Sequence, residues 1–225
     1  MGNVTIKHGD AFDLLEELPE AHAHAAVIDF PWTFSKDRRG GRQDHDHASD
    51  WDMTPNERFA EAVDRTSDAL VDGAWLFAFS DDDLLPEFRR VLEEQLTYRK
   101  TLIWDTEWFG MGHYYRSRHQ YIIAATVGET ERYVQSTPTV LSHRGSSRGA
   151  GRSAEYPTEK PPDLYRDLLE EPTERGDRLL EPFCGSAPGL FAAKALGLDY
   201  WGCDVATDAI EHAERRHGQA ALGDW

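Results

Sequence analysis

Two groups of residues in this chain have the types and spacing that chemistry needs. Asp29-Phe30-Pro31-Trp32 follows the apolar run Ala25-Ala26-Val27-Ile28. Such a run between polar residues reads as a buried strand of a parallel sheet, which sets Asp29 at its carboxyl end. A carboxylate there can accept a hydrogen bond from a proton-bearing amine. Pro31 stiffens the turn, and the Trp32 ring can stack on a flat heterocycle. The same four residues would also serve as a strand-capping acid and a core tryptophan. The second group is the turn Cys184-Gly185-Ser186-Ala187-Pro188-Gly189, between an expected strand, Leu179–Phe183, and an expected helix, Leu190–Leu196. Glycine at a strand-to-helix turn lets backbone approach a ligand closely. Asp204 follows Gly185 by nineteen residues, at the end of another expected strand, where an acid can accept from ribose hydroxyls. The pair reads as a nucleoside-cofactor site, with an ordinary tight turn as the alternative. Neither G-x-G-x-x-G nor a Gly-Lys-Ser/Thr loop is present, which favours a cofactor without phosphates over NAD or ATP.

The elements that must position these groups follow from periodicity. Strands are expected at Val4–Lys7, Ala25–Asp29, Ala74–Phe79, Thr101–Trp104, Gln120–Thr126, Leu179–Phe183 and Tyr200–Asp204. Helices are expected at Ala11–Leu18, Asn56–Val71, Asp82–Leu96, Pro161–Glu171, Leu190–Leu196 and Thr207–His217. The alternation argues an α/β sheet with helices on both faces. No internal repeat or domain boundary is evident, so residues 1–225 read as one domain. Thr33–Asp52 and Glu129–Glu155 are polar, Gly/Arg-rich and patternless, and loops of that length are usually functional or disordered.

Composition narrows the classes. The chain carries 24 Lys+Arg against 41 Asp+Glu, a formal charge of −17. That excludes a uniformly basic nucleic-acid clamp and a polybasic membrane binder. A hydrophobic content of 40% is too high for a disordered acidic chain. No run approaches a membrane span, and the N-terminus lacks a signal-peptide layout. Cys184 and Cys203 are the only cysteines, so a reduced cytoplasm is the expected compartment. The Asp/His-rich stretch Asp44–His47 lacks an accompanying Cys/His set, and no metal site is read. Lysine occurs five times against nineteen arginines; excess acid with scarce lysine suits a high-salt solvent, pointing to a halophile.

Asp29-Phe30-Pro31-Trp32 resembles the Asp-Pro-Pro-aromatic signature of amino-methyltransferases. Glu181-Pro182-Phe183-Cys184-Gly185-Ser186 resembles their Asp-Pro-Phe-x-Gly-Ser-Gly loop for S-adenosylmethionine (SAM). Catalytic motif before cofactor motif is the permuted order of the beta-class DNA N6-adenine/N4-cytosine methyltransferases. His8-Gly9-Asp10, Ile103-Trp104-Asp105 with Tyr115-Arg116 and His119-Gln120, and Tyr156-Pro157-Thr158-Glu159-Lys160-Pro161 resemble further family elements in the right order. The resemblance runs from about residue 4 to 218.

That resemblance implies a SAM-dependent methyltransferase (Rossmann-like) fold, with a seven-stranded, mostly parallel sheet. It implies methyl transfer to an exocyclic amino group of a flipped DNA base, with Asp29 and the main-chain carbonyl of Phe30 holding the amine, Pro31 shaping the turn and Trp32 stacking the base. Phe183, Gly185 and Ser186, with Glu181 in the same loop, would line the cofactor. Asp204 would hold the ribose, Thr158 and Lys160 would lie at the methionine end, and Asp10 would approach the adenine. Asp in the first signature position leans toward N6-adenine. The departures are Phe30 for Pro, Glu181 for Asp, Ala187-Pro188 for Gly-Thr, and Asp105 and Gln120 for Lys and Glu.

An acidic chain can still hold duplex DNA if its arginines are concentrated. Gly110–Ser153 carries six arginines against two glutamates. Arg38, Arg39 and Arg42 follow the catalytic tetrapeptide. The DNA-facing set is therefore Arg38, Arg39 and Arg42 on loop 33–52, Arg144, Arg148 and Arg152 on loop 129–155, and Arg116 ahead of the Gln120–Thr126 strand. A homodimer and a cognate restriction nuclease stay open as partners. An RNA or other-substrate methyltransferase, and a non-catalytic nucleoside-binding module, stay open as alternative functions. The charge distribution predicts fold and activity that persist in molar salt. Circular dichroism and activity assays across a KCl series check this, and loss of either at molar salt counts against it.

Overall fold

The structure is a computed structural model that describes residues 2–31, 55–109, 115–145 and 159–223. Its strands are β1 (Val4–His8), β2 (Ala23–Ile28), β3 (Leu70–Ser80), β4 (Thr97–Asp105), β5 (His119–Thr126), β6 (Val140–Ser142), β7 (Arg178–Glu181) and β8 (Asp199–Asp204). Its helices are α1 (Ala11–Glu16), α2 (Pro55–Asp68), α3 (Leu85–Gln95), α4 (Pro162–Leu169), α5 (Pro188–Leu196) and α6 (Thr207–Gly223). The strands form one sheet in the order β1-β8-β7-β2-β3-β5-β4-β6. Every neighbouring pair is parallel except those of β5, which runs antiparallel to β3 and β4. The expected α/β class and mostly parallel sheet are therefore present.

Alternation along the strands sends side chains to two cores. Ile28, Leu76, Ala78, Leu180 and Trp201 join Phe12, Phe59, Phe88 and Leu92 on the face covered by α1, α2 and α3. Val27, Phe77, Phe79, Leu179 and Tyr200 join Leu164, Tyr165, Leu190 and Ile210 on the opposite face, under α4, α5 and α6. Burial on both faces explains why the central strands read as continuous apolar runs.

All seven expected strands occur, and an eighth, β6, pairs in parallel with β4 through Ile103↔Val140, Trp104↔Leu141 and Asp105↔Ser142. Its three residues bury only Leu141, so no periodic signal marks a strand there. Strand β7 ends at Glu181, short of the expected Phe183, because Pro182 has no N–H for the ladder. Strand β3 begins four residues before Ala74. It runs through Gly73, whose φ of +77° and donation to the Val127 carbonyl mark an irregular start. Loop 33–52, with Arg38, Arg39 and Arg42, lies outside the described residues, as do Trp32, Arg148, Arg152 and Thr158.

Candidate functional site

Strands β2 and β7 are neighbours, paired in parallel at Ala25↔Leu179 and Ala26↔Leu180. From β7 the chain crosses through α5 to β8 on one side, and from β2 it crosses through α2 to β3 on the other. The two helices lie on opposite faces of the sheet. Adjacent strands whose connections diverge open a crevice at their carboxyl ends, and ligands of open α/β sheets bind there. Asp29 stands one residue past β2, and the Pro182–Gly189 turn follows β7 directly, so strand order brings the two sequence motifs to one place.

A cavity opens there with about 300 Å³ of space including its mouth, lined by Asp29, Glu159, Lys160, Tyr165, Phe183, Cys184, Gly185, Ser186 and Pro188. Gly185 has φ +51° and nothing within 4 Å of where a Cβ would stand, so a ligand can approach its backbone. Its N–H donates to Asp204 Oδ2 at 2.8 Å, while Asp204 Oδ1 accepts from the Ala206 N–H at 2.9 Å. Burial pushes the Asp204 carboxyl above its usual range. Asp204 thus braces the glycine turn from the end of β8. Asp10 caps α1 by accepting from the Phe12 N–H at 2.8 Å. It follows Gly9, whose N–H donates to the Asp204 carbonyl at 3.0 Å.

The rest of the turn has its own local constraints. Ala187 adopts the left-handed region (φ 56°, ψ 54°) that a glycine would take freely, at a cost of roughly 1–2 kcal/mol. Pro188 opens α5, where a missing N–H does no harm. Gly189 is required by contact, since a Cβ there would lie 2.6 Å from Glu181 Oε2.

Not every candidate reaches the cavity. Glu181 lies beneath the turn and is 1% exposed, with the Tyr200 hydroxyl donating to its Oε2 at 2.6 Å. Burial pushes its carboxyl up to about 8. The Phe30 ring is 1% exposed and packs edge-on against Phe59, Phe88 and Phe183, so the side chain is core. Sequence reasoning assigned no role to Glu159, yet it accepts from Ser186 Oγ at 3.0 Å and from Arg216 Nη1 at 2.7 Å. Its place beside Lys160 in the Thr-Glu-Lys-Pro stretch was the available signal. Tyr165 was hidden among the apolar residues of α4. Cys184 is buried, and desolvation pushes its thiol well up, as suits a packed residue.

The arginine-bearing segment meets the carboxyl end of β4, further along the sheet. Arg118 grips Asp105, at the end of β4, with two bonds of 2.7 and 2.9 Å. Arg116 donates to the Phe109 carbonyl, and both guanidinium groups lie within 6 Å of the Phe109 ring. Arg144 is exposed just past β6, between His143 and Gly145, whose N–H groups donate to the Asp105 and Thr106 carbonyls. Nearer the body the segment is pinned. Arg132 pairs with Asp177, and Glu171 collects the N–H groups of Gln135, Ser136 and Thr137, which hold its carboxyl down at about 2.

Comparison with known proteins bears on family and fold. The family model for N6/N4 enzymes, described as DNA methylase, matches residues 23–215. The Type II methyltransferase M.EcaI of Enterobacter cloacae is 33% identical over 72 residues, 31% of this chain and 16% of that enzyme. The Type II methyltransferase M2.DpnII of Streptococcus pneumoniae is 33% identical over 64 residues, 28% of this chain and 24% of that enzyme. The matched segments thus span a quarter or less of these relatives' lengths. TTHA0409 of Thermus thermophilus, solved in complex with S-adenosyl-L-methionine, superposes with a TM-score of 0.71 at 17% identity, over 99% of this chain and 96% of that one. The PvuII DNA methyltransferase, cytosine-N4-specific, superposes with a TM-score of 0.73 at 13% identity, over 96% of this chain and 86% of that one. At such identities the structural likeness is one of fold.

The buried Glu181 makes stability depend on pH. Its folded value lies above the ordinary 4.5, so between about pH 4.5 and 8 the folded chain binds more protons than the unfolded one. Stability is then full below pH 4.5 and falls as pH rises to about 8, by up to about 1.4 kcal/mol per pH unit from this group. Thermal unfolding of the native chain and of Glu181→Gln from about pH 5 to 8 measures it. The variant is expected to show the shallower fall, and equal slopes would remove Glu181 as the cause.

Proposed function

This chain belongs to the N6/N4 DNA methylase family, and we propose that it is a SAM-dependent DNA amino-methyltransferase of the permuted beta class. The observation that carries the reading is the shared cavity of Asp29, from the end of β2, and the Gly185–Ser186 turn that follows β7. The open backbone at Gly185, the braced acid Asp204 and the carboxylate of Glu159 suit a nucleoside that carries an amino-acid tail. SAM supplies, when bound, a methyl group made electrophilic by its sulfonium.

The chain's own residues do the rest by positioning. The Asp29 carboxylate and the Phe30 carbonyl accept from the exocyclic amine, aiming the nitrogen lone pair and raising its electron density. As the N–CH₃ bond forms and the S–CH₃ bond breaks, the nitrogen loses a proton toward Asp29. Trp32 would stack the flipped base, and Thr158 would lie at the methionine end. Asp at position 29 supports N6-adenine over N4-cytosine by the family resemblance. Residues 1–225 then form one catalytic domain, with loops 33–52 and 129–155 on the DNA. The acidic remainder suits a high-salt cytoplasm. The Type II naming of M.EcaI supports a cognate restriction nuclease as partner.

Asp29→Ala is expected to lower methylation by at least about 100-fold while leaving SAM affinity intact. Single-molecule sequencing of DNA from cells expressing each form reads out base, site and loss together, and unchanged turnover would sink the assignment. Reversing Arg144, Arg148 and Arg152 to Glu is expected to weaken DNA binding and lower the slope of log K against log salt by about one per lost phosphate contact. A titration series at several salt concentrations measures both. Unaltered affinity would clear these arginines of the role.

A further inference from the structure

We propose that Lys160 is the positioning residue for Asp29: it holds the carboxylate by Oδ2 and so leaves Oδ1 to the target amine. The inference rests on the methyltransferase reading and moves Lys160 from the cofactor's methionine end to the catalytic carboxylate. The Lys160 ammonium donates to Asp29 Oδ2 across the crevice, from the segment before α4 to the end of β2. Lys160 is 8% exposed, and its ammonium sits 5.2 Å from the ring centroid of the fully buried Phe79. A lysine so enclosed needs a close partner, because a buried charge left alone is strongly destabilising. Its backbone is fixed from the next residue on, since Pro161 (φ −65°) caps α4 and α4 buries Leu164, Tyr165 and Leu168.

A carboxylate turns broadly about its last torsion, with no strong preferred angle. Asp29 follows β2 directly and keeps about a quarter of its side chain open. Among the described residues, the Lys160 contact is the hydrogen bond that fixes its angle. Fixing it matters because the carboxylate acts here by geometry, and a misplacement of about 1 Å can cost about 100-fold in rate. The neighbouring Glu159 is engaged on the other side of the crevice, with Ser186 and Arg216. Consecutive residues thus serve opposite walls.

Steady-state kinetics of Lys160→Met and Lys160→Arg test the proposal, with SAM affinity measured separately by calorimetry. Lys160→Met keeps much of the side-chain length without the charge. It is expected to lower kcat by at least about tenfold at saturating SAM and DNA, short of that misplacement limit, with SAM affinity little changed. Lys160→Arg is expected to recover most of kcat. A raised KM for SAM with kcat retained in Lys160→Met would overturn the proposal and return Lys160 to the cofactor. A double-mutant cycle of Lys160→Met with Asp29→Asn, read by thermal unfolding, tests the contact without any turnover. Coupled effects are expected, and additive ones would overturn it. If the native chain methylates nothing, the methyltransferase reading fails while the unfolding cycle still reports the contact.

Discussion

The pairing of β2 with β7 is the constraint from which the site follows. It joins strands from opposite ends of the chain, Ala25 and Ala26 beside Leu179 and Leu180, and its two outgoing connections part to opposite faces. Most of the crevice is attached to those strands or to their neighbours, and α4 with the segment before it supplies the rest, Glu159, Lys160 and Tyr165. Asp29 extends β2, the glycine turn extends β7, and Asp204 ends β8 and braces the turn. If the pairing slipped by one residue, every side chain on the shifted strand would change face. Leu179 and Leu180 would then exchange cores, and Glu181 would leave Tyr200.

Electrostatics divides the molecule by location. The acid excess is spread over the body, where many exposed pairs such as Arg89–Glu93 and Arg90–Glu94 contribute little each. At the carboxyl end of β4, separated from β2 by β3 and β5, arginines are held in place by their neighbours. Asp105, which stands where the family usually has lysine, holds Arg118 with both oxygens. Arg116 and Arg118 also flank the exposed Phe109 ring. The acid at position 105 thus fixes the orientation of a guanidinium at the end of β4.

The sheet was legible because strand after strand carries a buried run that periodicity exposes. What periodicity cannot see is a contact between distant segments. Strand β6 escaped because one buried leucine makes no pattern. Glu181 reads from its motif as a cofactor contact, yet its neighbour in space is Tyr200, on another strand. That hydroxyl and the close approach of Gly189 turn it into a core residue. Glu159 sits in a motif the sequence displays, but its partners Ser186 and Arg216 lie far along the chain. Asp29, Gly185 and Asp204 were legible for the opposite reason: each stands at a strand end, and strand ends are where such sheets bind ligands.

The dipeptide Glu159-Lys160 also fixes the mechanical character of the crevice. One residue ties to the turn after β7 and to α6, the next to the end of β2, and Pro161 anchors both to α4. The two jaws are therefore tied to each other at their base before anything enters the pocket. Under the proposed activity, the work of deformation then falls on the other molecule. The duplex must unstack and swing a nucleotide outward, and sites whose base pairs open easily gain the advantage.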